Sequence, residues 1–155
     1  MITIRKALIP EFINISELDR NAWTENRESE FIPDGEHIWR LWVEYALTFV
    51  ACDNNEIIGA GVSIPTNDPK LQYVHKLMFS SSHRGKGIGT KLLSSMTQVF
   101  DEDGIYSMLS TDPENKAMQR VSEKCGFNER EFIKGYYRPS EDRWIYKRAP
   151  QDNDS

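Results

Sequence analysis

Apolar and polar positions alternate from Ile2 to Lys6, the period of a short strand, and then recur at helical spacing in Phe12, Ile15 and Leu18, a face that Pro10 can start. A polar stretch follows from Asn21 to Glu30. After Pro33, Asp34 and Gly35, the residues Ile38, Leu41, Trp42 and Tyr45 form a second helical stripe. Trp39 and Val43 fall off that stripe and leave apolar surface that either packs on a sheet or covers a ligand cleft. Leu47 to Cys52 and Glu56 to Ile64 are β-rich runs on either side of Asp53-Asn54-Asn55, which reads as a hairpin.

Pro65 to Pro69 is a loop, and Leu71 to Phe79 is the next strand. Ile88, Leu92, Leu93, Met96, Val99 and Phe100 mark a long helix that stops near Asp101 to Gly104. Ile105 to Thr111 is a strand, and Pro113 opens a helix whose apolar face is Ala117, Met118, Val121 and Cys125 before Gly126 ends it. Phe127 to Lys134 and Arg143 to Lys147 are two last strands joined by the loop Gly135 to Asp142. The order βααβββαβαββ predicts an α/β fold, a mixed sheet with helices on its faces. One domain over residues 1 to 149 is expected, with a disordered tail over 150 to 155.

A chain of 155 residues with 39% hydrophobic content carries one core. Its net charge of -5 argues against a general nucleic-acid binder, which needs an extended basic face. Cys52 and Cys125 are too few for a disulfide framework and lack metal-ligand spacing, so no metal is expected. Leu41 to Cys52 is too short to span a bilayer and contains Glu44, and the first residues lack the pattern of a signal peptide. A soluble cytoplasmic protein is expected, as a monomer or homodimer without membrane partners.

One segment breaks the acidic trend. From Pro69 to Phe100 there is no Asp or Glu, while Lys70, Lys76, Arg84, Lys86 and Lys91 supply five cations. Within it, HRGKGIGTKLL (residues 83 to 93) places Gly85, Gly87 and Gly89 where a strand gives way to a helix. A helix N-terminus already carries about half a positive charge, so crowding cations there makes sense when an anion sits among them. The glycines let successive N–H groups converge on phosphate oxygens, and a pyrophosphate fits such a cradle.

Arg84, Gly87 and Gly89 match the motif Arg or Gln, two residues, Gly, one residue, Gly or Ala. A second block runs from Asn115 through the helix to Gly126-Phe127. On both blocks and the order of elements, nearly the whole chain resembles the GNAT superfamily of acyl-CoA-dependent N-acetyltransferases. The resemblance implies central strands that splay apart and acetyl-CoA as co-substrate. It places the pantetheine arm along Leu77, Met78 and Phe79, and the pyrophosphate on Arg84 and the amides of Gly85, Lys86, Gly87, Ile88, Gly89 and Thr90. It also implies that Asn115 contacts the pantetheine end or orders the next helix.

Two customary proton-transfer positions depart from the family pattern. Four residues before Gly126-Phe127, where a tyrosine often protonates the leaving thiolate, stands Ser122, whose shorter hydroxyl holds a water at most. Where the strand often carries a carboxylate, this chain has Tyr73. His75 lies two residues on, on the same face of an extended strand, and its reference pKa of about 6.5 suits a general base. Tyr136 and Tyr137 are the remaining candidates for proton transfer, and packing is the alternative reading of all three. The expected function is acetyl transfer from acetyl-CoA to a primary amine by direct attack, on a small molecule ahead of a protein N-terminus or lysine. The alternative is a catalytically weak acyl-CoA sensor.

Overall fold

The computed structural model describes residues 1–25 and 32–152 of the chain. Seven strands, β1 (Ile2–Lys6), β2 (Leu47–Asp53), β3 (Glu56–Pro65), β4 (Leu71–Phe79), β5 (Tyr106–Thr111), β6 (Glu129–Ile133) and β7 (Arg143–Arg148), form one sheet in the order β1-β2-β3-β4-β5-β7-β6. Four helices accompany them: α1 (Phe12–Glu25), α2 (Glu36–Tyr45), α3 (Ile88–Asp103) and α4 (Lys116–Lys124). The succession of strands and helices is the one the periodicity predicts. In the β2–β3 turn Asn54 and Asn55 both take positive φ, the geometry whose twist suits a tight hairpin.

All neighbouring strands are antiparallel except β4 and β5. A parallel pair needs a crossover, and α3 supplies it. The parallel pairing covers only Leu71 to Tyr73 against Tyr106 to Met108. Beyond it the strands part, and among the described residues no strand pairs with the β5 side of β4 from Val74 to Phe79.

Apolar side chains fill both sheet faces. On one, Ile88, Leu92, Leu93, Met96 and Phe100 of α3 pack with Phe49, Ile58, Val74, Leu109, Phe127 and Tyr146. On the other, Ile15 and Trp39 cover Val50, Ala60, Val62 and Met78. Here α2 differs from its predicted stripe. Trp39 is fully buried, with Trp42 and Val43 packed beside it, whereas Ile38, Leu41 and Tyr45 are exposed. The buried face starts from the largest side chain, because an indole removes roughly 150–250 Å² from water, about 4–6 kcal/mol at 25 cal/mol/Å².

Other boundaries also move. Asn21 to Glu25, expected as part of a polar connection, complete the last turns of α1, and 26–31 lie outside the described residues. α4 starts at Lys116 rather than Pro113, and β6 begins at Glu129 because Phe127 is in the core. The tail is anchored further than expected: the Gln151 N–H donates to Asp101 Oδ1 at 2.8 Å. Residues 153–155 lie outside the described residues. No helix among the described residues is long and apolar enough to cross a membrane.

Asp101 also accepts two hydrogen bonds from the buried Arg148 guanidinium, at 2.7 and 2.9 Å. These bonds hold its carboxyl below the ordinary range, against the opposing effect of burial. A depressed folded-state pKa gives stability that is present above the unfolded value, near 3.9, and is lost as pH falls through the folded one. Urea denaturation from pH 7 down to about pH 3 therefore shows falling stability, and Asp101→Asn flattens that slope.

Candidate active site

The open edge of β4 is the starting point. Ser80 N–H donates to Ile58 O at 2.7 Å, so this residue faces β3. Peptide groups alternate along a strand, so Lys76 and Met78 bond to β3 while Leu77 and Phe79 turn their N–H and C=O to the gap beside β5. Gly61 opposite Leu77 is a packing requirement, since a Cβ there would lie 2.6 Å from Leu77 Cδ2 and 2.8 Å from Met96 Cε.

The cradle stands at the end of this edge. Gly85 and Gly87 have φ of +78 and +70, which L side chains rarely adopt, and a Cβ at either would meet open space. Conformation, then, demands glycine at these two positions. At Gly89 the protein alone would accept a Cβ, 3.8 Å from Val121, so bulk there matters only to something bound. Gly87 caps α3 without a side-chain hydrogen bond, and the helix's first bond closes from Lys91 N to Gly87 O. Among the described residues, the N–H groups of Gly85, Lys86, Gly87, Ile88, Gly89 and Thr90 donate to no protein acceptor. Six consecutive free donors at the positive end of a helix, beside Arg84, Lys86 and Lys91, suit a phosphate-bearing anion. His83 is engaged elsewhere: Nε2 lies 3.2 Å from Asp53 and Nδ1 3.1 Å from Ser82 Oγ.

On the sheet face covered by α1 and α2, β4 carries a bulge. Val74 pairs with Ser63 and Lys76 with Val62, which leaves His75 as the extra residue. The bulge resets the alternation, so both His75 and Lys76 meet groups on the α1 and α2 side. His75 Nε2 lies 3.0 Å from Asp34 Oδ2, and its ring packs at 5.0 Å between centroids on Trp42. Lys76 Nζ is 2.8 Å from the same Asp34 oxygen and 3.0 and 3.1 Å from the two oxygens of Asp19. Asp19 is fully buried and also accepts from the Asp34 N–H and Trp39 Nε1–H, both at 2.9 Å. Burial opposes ionisation of Asp34, but hydrogen bonds from His75 and Lys76 outweigh it and hold the carboxyl below its usual range.

Three hydroxyls meet near the fork of β4 and β5. Tyr73 Oη lies 2.6 Å from Ser110 Oγ, and Tyr137 Oη lies 3.3 Å from both. Burial pushes the Tyr73 phenol up, with the neighbouring tyrosines adding to the effect and Ser110 opposing it. A phenol so placed stays protonated near neutrality and serves as a donor. Tyr137 packs edge-on against Tyr136 at 4.8 Å and is itself exposed.

The second block takes a more local role. Asn115 caps α4, its Oδ1 accepting from Met118 N–H at 3.1 Å, and its amide hydrogens meet no acceptor among the described residues. Ser122 is buried and its hydroxyl donates to Met118 O at 2.8 Å. Burial raises the Cys125 thiol, so it is a poor nucleophile. A cavity of about 340 Å³ lies elsewhere, among Ser94, Thr97, Asp101, Cys125 and Arg148, where Arg148 is spent on Asp101 and the Cys125 carbonyl. Among the described residues no cluster of His, Cys, Asp and Glu is placed to hold a metal ion.

The sequence singles out His75, Tyr137 and the cradle, and the structure sets them along one parting of strands. It adds Asp19, Asp34, Lys76, Tyr73 and Ser110. Their signals were a run of acids ahead of α2 and a basic pair on a strand, with nothing local to join them.

Comparison with known proteins identifies a family. Residues 12–127 match the model of the Acetyltransferase (GNAT) family. The chain is 28% identical over 120 residues to N-alpha-acetyltransferase 30 of Schizosaccharomyces pombe, covering 74% of this chain and 80% of that one. It is 30% identical over 87 residues to the aminoglycoside N(6')-acetyltransferase type 1 of Klebsiella pneumoniae, covering 55% of this chain and 41% of the relative. In fold it resembles a phosphinothricin acetyltransferase of Sinorhizobium meliloti solved in complex with acetyl-CoA, with a TM-score of 0.80 and 19% identity, over 99% of this chain and 91% of that one. The parted strands, the uncapped basic helix end and the match over residues 12–127 lead to one conclusion: the chain belongs to the GNAT family of acetyltransferases.

Proposed function

We propose that this protein moves the acetyl group of acetyl-CoA to a primary amine by direct attack. The observation that carries the reading is the row of six unpartnered amides, Gly85 to Thr90, continuous with the open edge of β4. Arg84 and these amides hold the pyrophosphate, and Leu77 and Phe79 offer backbone groups to the pantetheine arm. Asn115, through its free amide hydrogens, borders the same arm.

Bound there, the co-substrate supplies an activated thioester. A lysine-like amine has a pKa of about 10.4 and must lose a proton to attack. His75 takes that proton. The outward N–H of Leu77 donates to the oxygen on which charge develops. The hydroxyls of Tyr73, Ser110 and Tyr137 supply a proton donor for the departing sulfur, a role that Ser122 does not fill because its hydroxyl is tied to Met118 O. The similarity to an aminoglycoside acetyltransferase supports a small-molecule acceptor. That to an N-alpha-acetyltransferase keeps protein N-termini, and with them lysines, as arms of the same assay.

Gly87→Glu tests the cradle. It forces a side chain onto a left-handed residue and adds a negative charge among the amides. Calorimetry then shows acetyl-CoA affinity reduced by about a hundredfold or more, and the concentration-dependent rise in melting temperature that acetyl-CoA gives the wild type disappears. Unchanged affinity would remove the pyrophosphate from this loop. A second reading, an acyl-CoA sensor with little turnover, draws on the same buried Ser122, and predicts binding without acetyl transfer.

A further inference from the structure

The structure assigns Asp34 as the positioning residue for His75, locked in place by the Lys76–Asp19 ion pair, so that Nδ1 of His75 is the atom that receives the acceptor's proton. The inference rests on the reading of His75 as the base.

A carboxylate only accepts hydrogen bonds, and Asp34 is held ionised by Lys76 and His75 after burial is overcome. The nitrogen facing it at 3.0 Å, Nε2, therefore carries the hydrogen in the neutral ring. Nδ1 is left with its lone pair. The ammonium first gives one proton to Nδ1, and the neutral amine nitrogen then bonds to the acetyl carbon. As the carbon–sulfur bond breaks, the thiolate takes a proton from the hydroxyl cluster, which recovers one from the nitrogen of the new amide. The imidazolium faces the Asp34 carboxylate and afterwards returns its proton to water.

What makes Asp34 a fixed partner is the group beneath it. Lys76, 8% exposed, bonds Asp34 Oδ2, both oxygens of the fully buried Asp19, and the Ile32 carbonyl at 3.0 Å. Asp19 in turn holds the Asp34 N–H. Segment 32–34 is thus tied by backbone and side chain to a base that α1 contributes. The Trp42 ring limits rotation of the imidazole. The ionisable groups bonded to His75 or to its carboxylate partner are Asp34 and Lys76, with Asp19 behind Lys76.

Nitrogen-15 NMR of His75, at a pH where the ring is neutral, reads the tautomer in the wild-type protein without any acceptor. The expected result is a single form with hydrogen on Nε2. In Asp34→Ala the pattern becomes an average of two tautomers, kcat for any amine that turns over falls roughly tenfold or more, and acetyl-CoA affinity is unchanged. A wild-type ring carrying its hydrogen on Nδ1 overturns the assignment, and so does Asp34→Ala with wild-type pattern and rate. The tautomer decides the pairing even if no amine is acetylated, an outcome that would instead count against the proposed function.

Discussion

His75→Ala lowers the turnover of acetyl transfer by about a hundredfold or more, since a general base contributes roughly 10² to 10⁴. Acetyl-CoA binding stays as in the wild type, because the cradle lies at the other end of the parted strands, beyond Phe79. The measurement is a pH–rate profile of both proteins on the same amine. If the acceptor instead shed its proton to bulk water before binding, the two profiles would superimpose and the rate would follow the fraction of neutral amine. That outcome would take His75 out of the mechanism and leave Tyr136, Tyr137 or ordered water as the proton acceptor.

Asp19→Ala costs about 3–5 kcal/mol of folding stability, the scale for breaking one side of a buried ion pair. Asp19 is 0% exposed and Lys76 8% exposed, so the ammonium loses its two bonds to the Asp19 carboxylate where water reaches it least. The Trp39 indole N–H and the Asp34 N–H lose their acceptor in the same step. Urea denaturation measures the loss, with an unchanged slope showing that the folded state keeps its extent. In the double variant with Lys76→Met, the combined loss is smaller than the sum of the two single losses, because both charges of the buried pair are then removed together. A loss below about 1 kcal/mol in Asp19→Ala would show that the network does not hold α1 to β4.

These two predictions concern residues of unequal visibility in the sequence. His75 could be picked out because strand alternation and an ordinary imidazole are local facts. Its partner could not: Asp34 is 41 residues away, and Asp19 reaches Lys76 over a separation of 57. Only the stacking of α1 and α2 on one sheet face brings them together. The acids between Asp19 and Glu36 read from sequence first as a solvated loop and only second as an attraction for a cationic acceptor, and the bulge that turns His75 and Lys76 to the same side leaves no mark that periodicity can detect.

The cradle was legible for the opposite reason. Its chemistry lies in eleven consecutive residues, where strand, glycines, cations and helix follow one another. Helix α3 was legible for the same reason, because one continuous apolar face faces one sheet. Helix α2 was not, since it carries apolar residues on two faces, and the deciding contact, Trp39 Nε1 to Asp19, is a long-range hydrogen bond. Asn115 was visible as a motif residue, but its bond to Met118 N–H is a matter of local capping geometry.

The most direct test of the account is release of CoA thiol from acetyl-CoA in the presence of polyamines, aminoglycosides, amino acids and basic peptides, with the acetylated product identified by mass spectrometry and Gly87→Glu as control. The expected result is thiol release that depends on at least one amine, one acetyl group gained by that amine, and loss of both signals in Gly87→Glu. Tight acetyl-CoA binding with no acetylated amine anywhere in the panel would contradict it.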